Sequence, residues 1–182
     1  MHIFGHLRTV TRHRNLVLKH CFHCGIPLQG LKHDLSKYSP TEFWAGCKYY
    51  TGTRSPNEAE RADKGFSAAW IHHKGRNKHH FEYWSDISKE TKRYVFIKMP
   101  YRYLAEMVCD RIAASKTYKG KDYTDDCALQ YFLDGQGRSQ MHPDTARELE
   151  KLLTMLKEKG EKAAFSYIKS QVKEKKKRPF DY

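Results

Sequence analysis

Apolar side chains recur at helical spacing along most of the chain, and this pattern predicts helices. Near the start, one stripe follows a three- and four-residue spacing and ends before Gly25, a residue type typical of the position just past a helix. The stripe consists of Ile3, Leu7, Val10, Val17 and Cys21. Strand signals are scarce, and alternating β-branched runs bounded by turns are absent. The sequence therefore predicts an all-α fold with about six to eight helices.

Proline and glycine residues divide this helical pattern into segments. One predicted helix runs through His33, breaks around Ser39-Pro40 and is followed by a second helix near Thr41. Asn77 is expected to cap a short helical segment that contains the second histidine pair. A long helix is predicted to open at Pro100.

The last third of the chain predicts a helical hairpin. A stripe of leucines after Pro143 ends before Gly160, and a second amphipathic segment follows that glycine. We therefore expect a compact helical bundle with a C-terminal helical hairpin. Residues 1–118 are interpreted as the core that carries the candidate chemistry, and residues 119–182 as helices that pack on this core. Within the second part, residues 173–182 are interpreted as a basic tail.

The net charge of the chain indicates whether its binding partners are anionic or cationic. The 182 residues include 34 lysines and arginines against 21 acidic residues, a net charge of +13. Such a positive field attracts nucleic acid, nucleotides or other phosphorylated molecules. No apolar run approaches the ~20 residues of a membrane span, so no membrane association is expected. Because the five cysteines are irregularly spaced and no secretion signal is evident, we expect free thiols and a cytoplasmic protein.

Candidate metal ligands are concentrated in the first half of the sequence. Two histidine pairs, His72-His73 and His79-His80, lie close together in "SAAWIHHKGRNKHHFEYW". Upstream is the adjacent pair His33-Asp34, and imidazole and carboxylate are ligands for divalent transition metals. On a helix, Lys37 would lie one turn beyond this pair and point the same way.

Two further residues are candidates because of their position on apolar helix faces. Asp110 lies on or beside the apolar face of the predicted helix in "YLAEMVCDRIAASK", and a carboxylate there needs an arginine partner or a metal ion. His13 adjoins the Val10 and Val17 stripe. Taken alone, His13 is more typical of a hydrogen-bonded core histidine than of a ligand.

The order His13, His33-Asp34, Asp110 on an all-helical chain resembles that of the HD-domain superfamily of metal-dependent phosphohydrolases. The string His33-Asp34-Leu35-Ser36-Lys37 is similar to the H-D-x-x-K variant of that superfamily. The resemblance implies an HD-like core in residues 1–118 and a first ion held by His13, His33, Asp34 and Asp110. Asp34 would bridge to a second ion held by some of four histidines, with one of each pair expected as ligand: His72, His73, His79 and His80.

The same resemblance implies a hydrolytic mechanism. One or two divalent ions (Mn, Fe, Ni, Co or Zn) would activate water at Asp34 for attack on a nucleotide or other phosphate ester. Lys37, together with Arg76 or Lys78, would hold the anionic phosphate. Asp34 and Lys37 are thus the expected catalytic residues.

A longer resemblance points to a family without an established activity. Up to about Phe132, the chain is similar to an uncharacterised bacterial and phage family through "HDLSKYSPTEF", "HHKGRNKHHFEYW" and "EMVCDRIAASK". Two alternatives to hydrolysis stay open: a non-catalytic basic helical protein that binds nucleic acid, or a sensor of an anionic ligand. The C-terminal helices also allow a homo-oligomer.

Overall fold

The computed structural model describes residues 1–175, and within them the chain forms eight α-helices and one small antiparallel sheet. The helices are α1 (Ile3–His23), α2 (Pro27–Lys32), α3 (Pro40–Lys48), α4 (Pro56–Lys64), α5 (Ala68–Lys74), α6 (Tyr101–Lys119), α7 (Cys127–Asp134) and α8 (Pro143–Lys175). The strands are β1 (Ser85–Ile87) and β2 (Tyr94–Phe96), with Ser85 opposite Phe96. The all-α prediction is confirmed.

The last helix, α8, turns back on itself. Gly160 interrupts it with a φ of 75°, a left-handed conformation that glycine adopts without a steric penalty. Lys151 Nζ then donates a hydrogen bond to the Tyr167 hydroxyl at 2.6 Å. In a straight helix these residues would lie about 24 Å apart at 1.5 Å per residue. The two segments of α8 therefore form a helical hairpin.

A single hydrophobic core joins α1, α6, α7 and α8. The α6 and α8 helices contribute most to it, with Leu104 and Val108 of α6 and Leu149 and Leu153 of α8 among the buried residues. Core residues come from both sides of residue 118, since Val17 and Ile168 belong to the same cluster. No helix among residues 1–175 combines the length and the apolar character needed to cross a membrane.

Three local predictions differ from the structure. The helix expected through His33 ends at Lys32, and a 3₁₀ turn over Leu35–Tyr38 follows. The segment after Asn77 forms turns and a 3₁₀ turn over Phe81–Tyr83 instead of a helix. Strands β1 and β2 were not predicted, because their three-residue lengths are too short for a periodic signal. Most of the predicted basic tail, residues 176–182, lies outside the described residues.

Close contact between α1 and α2 depends on Gly30. A Cβ atom at this position would lie 2.7 Å from Cys21 Cβ and 3.0 Å from Leu18 Cα, and the latter is a backbone atom that cannot move alone. The missing side chain lets the short α2 helix pack directly on α1. This packing fixes where the chain leaves α2 at His33.

Gly30→Ala is expected to lower the free energy of unfolding by about 1–3 kcal/mol, because the added methyl group forces α1 and α2 apart. Gly75→Ala is the matched control. Its Cβ would lie 3.4 Å from the nearest atom, Ile71 O, at a right-handed φ of −75°, so we expect a change within about 1 kcal/mol. Urea unfolding followed by circular dichroism measures both. Equal midpoints for the two variants would contradict the packing argument.

Candidate metal centre

Five separate parts of the chain converge on the Asp34 carboxylate. His13 comes from α1, His33 and Asp34 from the end of α2, His73 from α5, His79 and His80 from the turn after α5, and Asp110 from α6. Asp34 itself is only 1% exposed, as are His33 and His79. These buried polar side chains form the candidate metal centre.

A local turn lets His33 and Asp34 point into the same cluster. Neighbouring residues on a helix diverge by about 100°, but here α2 has ended and Asp34 adopts the left-handed conformation, with φ at 53°. Arg14 stabilises this turn by donating hydrogen bonds to the carbonyls of His33 at 2.8 Å and Leu31 at 3.0 Å. The strained backbone of Asp34 thus serves to aim two adjacent side chains at one point.

The first ligand group consists of His13, His33, Asp34 and Asp110, whose ligand atoms all lie within 4.8 Å of one another. His13 Nε2 lies 3.0 Å from Asp110 Oδ1 and 3.4 Å from His33 Nε2. His33 Nε2 lies 3.3 Å from Asp34 Oδ2 and 3.6 Å from Asp110 Oδ1. Two imidazoles and two carboxylates are a donor set typical of divalent transition metals.

A second group, on the other side of Asp34, consists of Asp34, His73, His79 and His80. Here the other carboxylate oxygen, Oδ1, lies 3.3 Å from His73 Nε2 and 3.4 Å from His79 Nε2. Among the described residues, Asp34 Oδ1, His79 Nε2 and His80 Nε2 are nevertheless buried without a hydrogen-bond partner. Buried polar atoms are normally paired, so three converging unpaired atoms fit a site for a cation.

Two glutamates orient the imidazoles of both groups. Glu106 Oε1 accepts hydrogen bonds from His33 Nδ1 at 3.0 Å and from His79 Nδ1 at 3.2 Å. Glu42 Oε2 accepts one from His73 Nδ1 at 2.7 Å. Each contact holds Nδ1 of the ring at a glutamate and turns Nε2 toward the cluster, the orientation typical of metal-binding histidines.

Neither glutamate was predicted as a site residue. Glu106 lies one helical turn before Asp110 on α6, and this spacing is the signal that could have identified it. Glu42 has no comparable signal, since its partners follow about thirty residues later in the chain. A third possible group, His33, His79 and Glu106, uses the same hydrogen-bonded atoms on the far side of the rings.

The cluster concentrates negative charge in a buried space. Burial alone would raise the pKa of Asp34, but His33 and then Lys37 hold that pKa well below its usual range. Burial likewise opposes ionisation of Asp110 and Glu106, yet hydrogen bonds from His13 and His33 lower the pKa of Asp110 and those from His33 and His79 lower that of Glu106 to about 2. All three carboxylates are therefore charged at neutral pH.

This environment shifts the pKa values of two imidazoles in opposite directions. Burial would lower the pKa of His33, but the Asp34 charge and the surrounding carboxylate hydrogen bonds raise it well above its ordinary value. For His80, burial together with the neighbouring His79 and His73 rings lowers the pKa well below that value. His80 is thus neutral and has a lone pair available as a ligand.

The remaining predicted residues lie at different distances from the centre. His72 belongs to none of the possible ligand groups of the described chain, and its Nδ1 lies 2.7 Å from Glu42 Oε1. Lys37 Nζ lies 2.7 Å from Asp34 Oδ2 although it is not on the predicted helix. Arg76 and Lys78 are exposed; the first donates to the His72 carbonyl and the second lies over the rings of Tyr83 and Tyr103.

The fold and the site define an all-α protein with a buried cluster of histidines and carboxylates that could hold metal ions. Residues 2–155 match the model of DUF5662, described as a family of unknown function, and the chain belongs to this family. The prediction of an uncharacterised family is thereby confirmed. Comparison with curated proteins finds no match, and comparison with solved structures finds none either.

The hydrogen bonds to the glutamates predict distinct effects on metal affinity. Since Glu106 orients one histidine of each group, Glu106→Gln is expected to weaken binding of two ions by about 10- to 100-fold each. Of the histidines in the ligand groups, Glu42 contacts only His73. Glu42→Gln is therefore expected to weaken binding of the ion in the second group and to leave binding in the first group unchanged. Isothermal titration of the metal-free protein with Mn²⁺ or Zn²⁺ measures both affinities.

Glu60→Gln provides the control for this titration. Glu60 is as deeply buried as the two site glutamates, but it accepts hydrogen bonds from Ser67 Oγ at 2.7 Å and from the Ala69 backbone amide at 3.3 Å. Glu60→Gln should therefore lower the free energy of unfolding and leave both metal affinities unchanged. Identical titrations for Glu42→Gln and Glu106→Gln would contradict the proposed division of roles.

Proposed function

We propose that the protein is a metal-dependent phosphohydrolase of the HD type that acts on a nucleotide or another phosphate ester. The observation that carries this proposal is the position of Asp34 between two ligand groups, with Oδ2 facing one and Oδ1 facing the other. Such a carboxylate can bridge two ions, and paired ions are typical of enzymes that hydrolyse phosphate esters. The resemblance in the order of His13, His33-Asp34 and Asp110 points to the same chemistry.

The residues present fit divalent transition metals. Both groups offer imidazole nitrogen and carboxylate oxygen, the donors that Mn, Fe, Co, Ni and Zn accept. Four carboxylates, those of Asp34, Glu42, Glu106 and Asp110, contact the imidazoles of the cluster. The unpaired atoms around Asp34 Oδ1 lie where a cation would bind between these carboxylates and imidazoles.

The reaction side of the centre is the side that solvent reaches. The Asp110 side chain is 18% exposed and that of Lys37 is 29% exposed, whereas His33 and Asp34 are nearly fully buried. When bound, the ions would activate a water molecule and neutralise charge on the phosphate. A substrate phosphate would therefore approach from the Lys37 side.

Lys37 is the residue whose contacts best support phosphate binding. The Asp34 charge raises the pKa of Lys37 above its usual value despite burial, so the ammonium group is retained next to the ligand cluster. It can exchange its bond to Asp34 for one to a phosphate oxygen. Arg76 and Lys78 remain candidates for binding parts of the substrate that lie farther from the metal centre, since they follow the His72-His73 pair in the chain.

Asp34→Ala is expected to remove most of the bound metal, because Asp34 belongs to both ligand groups. Elemental analysis of protein purified without chelator measures the metal content of the wild type and the variant. Asp63→Ala is the control, since Asp63 is exposed and bonds the Tyr49 hydroxyl at 2.5 Å. Equal metal content in the wild type and Asp34→Ala would remove Asp34 from the site and with it the proposed function.

Lys37→Ala is expected to lower kcat/KM for phosphate release by about 100-fold while metal content stays unchanged, because it removes a positive charge that faces the substrate. The assay uses metal-loaded protein with panels of phosphomonoesters, phosphodiesters and nucleotides. Arg76→Ala and Lys78→Ala are the comparison variants, with smaller effects expected from their exposed positions. Salt-sensitive nucleic-acid binding without metal or phosphate release would support the non-catalytic alternative instead.

A further inference from the structure

Helix α1 has two faces with different environments. Its buried face contains His6, Val10, His13, Val17 and His20. The opposite face follows the same three- and four-residue spacing, and it contains Phe4, Arg8, Thr11, Asn15, Leu18 and Phe22. All of these residues are exposed to solvent except Leu18, which is half-buried beside α2. An amphipathic helix usually places polar residues on its outer face. Here the outer face has a large aromatic side chain at each end.

These outer residues form one open, shallow surface on a single helix. Phe4 is 86% exposed and Phe22 is 68% exposed. Two hollows lie between them, of about 700 and 430 Å³. Because both hollows are lined by Asn15 and Lys19, they join into one surface, which we call the α1 trough. An exposed apolar patch bordered by charged residues is typical of an interaction site.

The charge of the trough has one sign. Residues 1–33 contain no aspartate or glutamate, and Arg8, Arg12 and Lys19 line the hollows. The next two acidic residues, Asp34 and Glu42, are buried in the metal centre. An occupant must therefore bring negative charge beside Arg8, Arg12 and Lys19, and apolar groups to the leucines and phenylalanines of the trough.

We infer that the α1 trough binds an acidic amphipathic helix of another protein. Phe4 and Phe22 are 18 positions apart, which corresponds to about 27 Å or five helical turns. The three- and four-residue spacing suits side-by-side packing of a second helix. Apolar anchors that enter a groove, with charges of opposite sign alongside, are the usual elements of helix recognition.

Other occupants fit the trough less well. A second copy of the chain would place Arg8, Arg12 and Lys19 against the same positive charges. A lipid surface would have to bury Thr11 and Asn15, which lie at the centre of the face between the two phenylalanines. Duplex nucleic acid would use the positive charges, but its paired and stacked bases would leave Phe4 and Phe22 exposed at the ends. Of these occupants, an acidic helix uses the cations and the terminal phenylalanines together.

A displayed library of helical peptides of about 21 residues, sized to span the trough, tests this inference with the full chain as bait. Enriched sequences are expected to carry Asp or Glu in the central turns and Leu or Phe near both ends. Phe4→Ala and Phe22→Ala should each weaken the best peptide about tenfold in fluorescence anisotropy, and Arg12→Glu should abolish its binding. Lys157→Glu, the same charge change at an exposed position of α8, should leave the affinity unchanged.

Several results would overturn the inference. These are the absence of enrichment, enrichment of neutral or basic peptides, and equal binding by Arg12→Glu. Binding to phosphatidylglycerol vesicles that depends on Phe4 would assign the trough to a lipid surface instead. Binding of duplex DNA that is lost in Arg12→Glu would assign it to nucleic acid, and a dimer in ultracentrifugation that Phe4→Ala dissociates would assign it to a second copy. Circular dichroism and metal content verify that each variant is folded.

Discussion

The structure depends on stabilising one buried negative charge, the carboxylate of Asp34. A lone carboxylate in a protein interior costs several kcal/mol, and only close partners offset this cost. Its partners come from distant parts of the chain: His13 from α1, Lys37 from the turn after α2, and His73 and His79 from α5 and the turn that follows it. The helices therefore have to assemble correctly before the charge is stabilised. The candidate metal centre is therefore complete only in the folded chain.

The arrangement is layered around this charge. Glutamates 42 and 106 lie outside the imidazoles and hold their Nδ1 atoms, while Arg14 holds the backbone that presents His33 and Asp34. Each outer contact fixes an orientation of an inner ligand atom. A centre built in this way is preorganised, since the side chains need little rearrangement when a cation binds. The unpaired Nε2 atoms of His79 and His80 are the visible result of that preorganisation.

Long-range periodicity predicted the helices well, whereas local backbone geometry was beyond its reach. The stripe on α1, the start of α6 after Pro100 and the break of α8 at Gly160 follow from residue spacing and from proline and glycine chemistry. The turn at Asp34 could not be predicted in this way, because its left-handed backbone is stabilised by Arg14, twenty residues earlier. Tertiary contacts overrode the helical preference of that segment.

The sequence pointed to the histidines and aspartates of the candidate site. It did not point to the glutamates that contact them. Histidine and aspartate are rare enough on apolar helix faces to attract attention, as with His13 and Asp110. Glu42 and Glu106, by contrast, resemble ordinary surface glutamates in the sequence, although both are buried. The expectation of one ligand from each histidine pair assumed helical divergence. It describes His72 and His73 on α5, but His79 and His80 lie in a turn and both reach the second group.

Helix α1 contributes to both candidate sites of the molecule. Its inner face presents His13 to the metal centre, and its outer face forms the α1 trough. Because the helix is rigid, a partner on the outer face that turned or shifted α1 would also move His13, whose Nε2 lies 3.0 Å from Asp110 Oδ1 at the solvent-facing edge of the centre. Such a displacement would alter the first ligand group directly. It would reach the second group through Asp34, which both groups share and whose turn is held by Arg14 of the same helix.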